Sequence, residues 1–332
     1  MNDSTLKNLL KEYDKKRQLA FLDLDKRKQE LFSSNKRLEE IDNEINSYSI
    51  QIAKTILSSP NNTTFLDSLR NKIDTLKNEK NTIIKNLNID DDFFKPHFEC
   101  NLCNDTGYVQ DGYNFNLCSC IKQKLFDIEY NKSNIGNLEK DNFDNFNLNV
   151  YSNTINEDLY SSNLSPRDNI KNIKKIALSF INNFDNSNEK NLLFTGNTGL
   201  GKTFLSNCIA NELLKKGKTV LYQTASVMLD SIIDYRFNKN SSIDMYENIL
   251  TVDLLIIDDL GTECMNSMKF SELFNIINTR LLNQNNHITK TIISTNLNLQ
   301  ELSQKYDERI FSRFVGYYNI CRFFGEDIRF KK

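Results

Sequence analysis

The stretch LLFTGNTGLGKTFL, residues 192–205, decides the fold. An apolar run leads into Gly196, and Gly201, Lys202 and Thr203 follow at the spacing G-x-x-x-x-G-K-[ST]. Each residue type has a physical task. The apolar run is a strand that carries the loop to a sheet edge. The glycines let backbone amides wrap closely around phosphate oxygens, and the following helix adds its N-terminal amides and dipole. Lys202 is placed to reach the outer phosphates, and the Thr203 hydroxyl to hold Mg²⁺. The expected nucleotide-binding set is Gly196, Asn197, Thr198, Gly199, Leu200, Gly201, Lys202, Thr203 and Phe204.

Working outward, DLLIIDDLGTE at residues 253–263 is an apolar strand ending in two acids. Asp258 is positioned to take Mg²⁺ through its water shell and Asp259 to polarise the attacking water. TIISTN, residues 291–296, ends on Asn296, whose amide can orient that water or serve only as a helix cap. In DERIFSRF, residues 307–314, Arg309 and Arg313 stand four apart and share one helical face. They suit completion of a neighbour's site, or simple surface ion pairing. Arg329 lies in the final EDIRFKK. Candidate strands at 191–195, 219–224, 254–258, 291–295 and 319–323 alternate with amphipathic helices. That alternation predicts an α/β fold, a parallel sheet covered by helices on both faces.

Upstream the pattern differs. No glycine precedes Gly107, and only Pro60 and Pro96 interrupt that third. Leu24, Leu31, Leu38, Ile45 and Ile52 recur every seven residues, with Ile41 and Tyr48 in the other seam position. SSPNNTT, residues 58–64, breaks the helix. A second stripe follows at Leu66, Leu69, Ile73, Leu76, Ile83 and Leu87, so an antiparallel helical hairpin is expected.

Four of the seven cysteines then fall in ECNLCNDTGYVQDGYNFNLCSC, residues 99–120. Cys100 and Cys103 form a C-x2-C pair, and Cys118 and Cys120 a C-x-C pair. Gly107 and Gly112 between them suit hairpin turns. Four thiolates predict structural zinc, with His97 as a possible substitute ligand and iron–sulfur as an alternative. Four protein ligands leave no open position for catalysis. The expected organisation is a helical arm at 1–95, a zinc-binding knuckle at 96–125, a linker at 126–165 and an ATPase domain at 166–332.

The 332 residues carry 26% charged and 39% apolar side chains and a net charge of −2, so any nucleic-acid contact must come from a local patch. No apolar run approaches the roughly 20 residues that span a bilayer. A charged N-terminus without a signal-peptide core and paired cysteines suited to metal lead to the expectation of a cytoplasmic protein.

With these motifs in place, the second half resembles the AAA+ ATPases, and more narrowly the DnaC/DnaI-type loaders of the replicative helicase and their IstB-like relatives. GNTGLGKT, LLIIDDLG, STN, ERIFSRF and EDIR carry the resemblance. It implies that Asp258 and Asp259 are the Walker B pair and Asn296 the first sensor. Arg313, or Arg309, would be the trans-acting finger, and Arg329 the second sensor. Aspartate at 259, where most AAA+ proteins have glutamate, implies slow turnover. There is no room after Arg329 for the usual helical lid. CNLCNDTGYV and CSCIKQK resemble, more loosely, the zinc module by which such loaders hold the hexameric helicase. The resemblance also implies self-assembly with ATP and a grip on single-stranded DNA. Tyr235, Arg236 and Phe237 suit that grip through stacking and phosphate contact, with Lys239 and the 264–270 loop extending it. Other readings are an IstB-like helper of transposition and a non-enzymatic coiled adaptor.

Overall fold

A computed structural model describes residues 3–58, 63–128, 140–237, 243–282 and 287–330. The chain divides into two compact units, one of residues 7–116 and the other of residues 1–6 and 117–332.

In the first unit, α1 (Asp3–Ser34), α2 (Lys36–Ser58) and α3 (Thr63–Asn86) carry the heptad stripes. Leu38 and Ile41 of α2 are buried with Leu66, Leu69, Ile73, Leu76 and Ile84 of α3. The helical register brings Ile84 inward in place of the expected Ile83, and Leu87 is exposed. The first stripe is not one helix. Ser33-Ser34-Asn35 ends α1, and the Asn35 side chain accepts the Leu38 amide at 3.3 Å, starting α2. The break at Pro60 lies in residues 59–62, outside the described ones. Arg27 ties α1 to the segment before the cysteines, donating to the Phe93 and Lys95 carbonyls at 2.7 and 3.1 Å. After that segment, β1 (Tyr108–Asp111) and β2 (Asn114–Leu117) form a two-stranded hairpin.

In the second unit, α4 (Ser119–Phe126) and the one-turn α5 (Glu157–Tyr160) precede the main sheet. Ser165 caps α6 (Pro166–Asn182) by accepting the Asp168 amide, and Pro166 sits where its missing N–H costs nothing. The order then runs β3 (Asn191–Thr195), α7 (Lys202–Lys215), β4 (Val220–Thr224), α8 (Ala225–Phe237), α9 (Ile243–Thr251) and β5 (Leu254–Leu260). It continues with α10 (Ser267–Leu282), β6 (Lys290–Thr295), α11 (Leu299–Lys305), α12 (Glu308–Tyr317) and β7 (Tyr318–Arg322). All five long strands pair in parallel in the order β4-β5-β6-β3-β7.

Alternate residues feed two cores. Leu193, Leu221, Leu255, Ile257 and Ile293 meet α8, α10 and α12 on one face. Leu192, Phe194, Tyr222, Ile256 and Ile292 meet α6 and α7 on the other. The five expected strands agree with these to within one residue, except that β5 runs on two residues to Leu260. Its pairing with β6 shifts between Ile257 and Leu260, and Asp259 there takes φ +54. Aspartate tolerates that left-handed conformation better than most residues. This bulge turns the two neighbouring acids out of simple strand alternation. No helix among the described residues is long and apolar enough to cross a membrane.

Candidate functional site

The sheet order places β6 between β5 and β3, so Asn296 stands beside both the paired acids and the phosphate loop. The loop itself folds as its glycines require, with Gly196 at φ +131, Gly199 at +74 and Gly201 at +90. A methyl group at Gly196 would overlap the Phe323 carbonyl, so the residue type is fixed by close approach as well as by φ.

Lys202 opens α7 and points back into the loop. Its ammonium donates to the carbonyls of Gly196 at 2.6 Å and Asn197 at 2.7 Å, and to the Asn296 side chain at 2.9 Å. Burial pushes its pKa down to about 8, against the pull of Asp259 and Asp258. A cation held at this depth, with every hydrogen satisfied by neutral oxygens, is poised to exchange them for phosphate.

Asp258 is buried and accepts three hydroxyls, those of Tyr222, Ser294 and Thr203, the last at 3.2 Å. Burial, then the nearby Asp258 charge, holds the Tyr222 phenol well above its usual range, so it donates. Thr203 and Asp258 thereby lie at one locus, an oxygen pair suited to Mg²⁺ directly and through water. Asp259 is half-buried. Its carboxyl is raised by burial and then by Asp258, while Lys202 opposes. Such a group is a better proton acceptor than an exposed aspartate.

A cavity of about 340 Å³ is lined by residues 198–204 with Asp259, Asn296, Ile328 and Arg329. It therefore brings together most of the predicted loop with Asp259, Asn296 and Arg329, the residues expected as a Walker B acid, the first sensor and the second sensor. Two further contacts brace it. The Tyr151 hydroxyl donates to the Leu200 carbonyl at 3.1 Å, and the Ile328 amide donates to the Gly199 carbonyl at 2.9 Å. Phe204 packs against Phe146, which with Phe143 anchors the preceding segment under Lys174.

Other predicted residues lie elsewhere. Arg309 and Arg313, both on α12, do not line this cavity. Arg309 is exposed, pairs with Asp307 at 2.7 Å and lies over Phe274. Arg313 donates to Asn278 at 3.2 Å. At the end of α8, Tyr235 stacks on Tyr246, and Arg236 binds Glu272 through two bonds of 3.0 and 3.2 Å. The arginine's charge is thus matched within the chain, while Phe237 is 69% exposed. Lys239 lies outside the described residues, and in the 264–270 loop Lys269 pairs with Asp230 at 2.5 Å.

The reactive sulfurs of Cys100, Cys103, Cys118 and Cys120 all lie within 4.8 Å of one another. Tetrahedral bonds of about 2.3 Å separate sulfurs by about 3.8 Å, so the set fits zinc. Asp105 shapes the first knuckle: its buried carboxylate accepts the Glu99 and Cys100 amides, each at 2.9 Å. His97 is outside the cluster and faces Asp92 at 3.4 Å.

Sequence reasoning missed Tyr222, Ser294 and Asp327. Register explains the first two: Ser294 lies beside Asp258 on β6, and Tyr222 sits two residues before the Asp258 partner on β4. A strand motif read alone carries no signal of what its neighbours contribute.

This arrangement defines a nucleotide-binding domain of the P-loop class. Residues 153–316 match the family described as IstB-like ATP binding protein. Over 138 residues the chain is 30% identical to "Replicative helicase loader DnaC" of Escherichia coli (strain K12), covering 41% of this chain and 54% of that protein. It is 35% identical over 125 residues to "Chromosomal replication initiator protein DnaA" of Wolinella succinogenes, covering 37% and 27%. The chain thus spans about half the length of the DnaC relative, 54%. Among solved structures, "Crystal structure of the DnaC helicase loader" superimposes with a TM-score of 0.43 at 21% identity, covering 54% of this chain and 96% of that one. DnaA from Aquifex aeolicus gives 0.44 at 22%, covering 58% and 53%.

Proposed function

We propose that this protein is an ATP-hydrolysing loader that places the hexameric replicative helicase on single-stranded DNA in the cytoplasm. The observation that carries the reading is the Lys202–Asn296 bond beside Asp258 and Asp259, in a stretch similar to a helicase loader. In this reading ATP and Mg²⁺ occupy the phosphate-loop cavity, with Thr203 and Asp258 holding the metal. Asp259 accepts a proton from the attacking water, which Asn296 orients once phosphate has taken Lys202 from it. The shorter aspartate makes turnover slow, so ATP acts as an assembly and release switch.

Arg313 of one copy, with Arg309 as second candidate, completes the site of the next, consistent with both lying away from their own loop. Zinc on the four cysteines would supply fold stability, and the arm at 1–95 with the knuckle at 96–125 would hold a helicase subunit. Tyr235, Arg236 and Phe237 are proposed to meet DNA, Arg236 after release from Glu272.

Light scattering of the full-length protein mixed with its cell's replicative helicase tests the reading. A loader forms a stable complex with the hexamer, and Lys202→Ala abolishes ATP-dependent loading onto single-stranded DNA. No complex at micromolar concentrations, with zinc bound, would sink it.

A further inference from the structure

The segment after β7 returns to the phosphate loop and lays a carboxylate on it. Gly199 has φ +74, and a methyl group there would overlap the Asp327 carboxylate. The adjoining Ile328 amide fixes this approach through the Gly199 carbonyl at 2.9 Å. Asp327 in turn grips Arg329. It accepts the Arg329 backbone amide at 2.9 Å, Nε at 2.9 and 3.0 Å, and also Nη2. Arg329 lines the nucleotide cavity, yet its guanidinium is committed to a carboxylate. A negative charge against a loop built to receive phosphates is unfavourable to the ligand unless that arginine neutralises it.

We infer that Asp327 is a positioning residue that competes with the terminal phosphate of ATP for Arg329, and so acts as a selective brake on ATP binding. The inference rests on the ATP reading above. A guanidinium presents the same fork to a carboxylate or a phosphate. Arg329 is exposed and Asp327 only half-buried, so the pair can exchange with solvent and ligand. ADP lacks the terminal phosphate and leaves the pair intact. ATP takes Arg329 and leaves Asp327 bare beside Gly199, so only ATP bears the cost of breaking the pair.

The test is the dissociation constants of ATP and ADP, with Mg²⁺, for the full-length protein and four variants. Asp327→Asn should tighten ATP about tenfold and ADP far less. Asp327→Ser, which removes the acceptor fork, should do the same if the asparagine variant folds poorly. Arg329→Ala alone bares Asp327 and should weaken both nucleotides, whereas added to Asp327→Asn it should weaken ATP and leave ADP unchanged. Equal shifts for ATP and ADP in both Asp327 variants, or no shift, would overturn the brake while the ATP site stands. A wild-type protein that binds no ATP would overturn the nucleotide reading, and the brake with it.

Discussion

Strand β3 buries all five of its residues, whereas β1 and β2 bury none of their eight. The main sheet has an apolar core on each face. Around the cysteine hairpin, Leu102, Tyr113 and Phe115 are exposed at 66%, 103% and 71%. Burial therefore holds the sheet, and polar groups at its edge are left for chemistry. The hairpin lacks that resource, and its positive-φ turns at Asn104, Asp105, Gly107 and Gly112 are conformations that need an external hold. Four sulfurs placed to share one ion would supply it.

The sharpest way to break this comparison is to take the metal away. Structural zinc contributes roughly 10–16 kcal/mol to small domains. Chelation, or Cys100→Ser with Cys103→Ser, should open residues 100–120 to protease while the main sheet's thermal transition persists. Loss of the sheet together with the hairpin would refute the contrast.

At the sheet edge, Lys202→Ala should weaken ATP by roughly 100-fold, about 3 kcal/mol of charge-assisted bonding, without lowering the melting temperature. Calorimetry and titration together separate binding from stability. Tyr222→Phe removes one of three hydroxyls from buried Asp258 and should cost about 2 kcal/mol of stability, read from denaturant unfolding.

A pH series sharpens the same point. With the empty-site pKa of Lys202 near 8, the ammonium is charged below that value and lost above it. Phosphate binds the charged form, so ATP affinity should be flat below pH 8 and fall by up to about tenfold per unit above it. The same depressed pKa makes the apo fold gain stability as pH rises from about 8 toward the unfolded value of 10.5. Lys202→Arg, charged throughout, should abolish the dependence of affinity.

The smallest effect is expected in the helical arm. Asn35→Ala removes the side-chain cap of α2 and should cost about 1 kcal/mol, seen as a shift in the first unit's unfolding midpoint.

The main strands were legible because buried parallel strands are uninterrupted apolar runs, and the loop because its glycine spacing admits few other uses. Asn35 was legible in principle: Ser33-Ser34-Asn35 is a capping signal, overridden in reading by the heptad that passes through it. Asp327 had no such signal, since an acid two residues before an arginine is an ordinary surface pair until the chain is seen to return to Gly199.

By itself, then, the sequence determined the apolar strands, the phosphate loop, the paired acids and the clustered cysteines. Each is a local pattern whose physics acts over a few residues. Tertiary structure alone decided that Asn296 accepts from Lys202, that Tyr222 and Ser294 clasp Asp258, and that Asp327 holds Arg329 over the loop. Those contacts depend on which strands adjoin and where the chain comes back, set by packing and register across up to 128 residues, from Gly199 to Asp327.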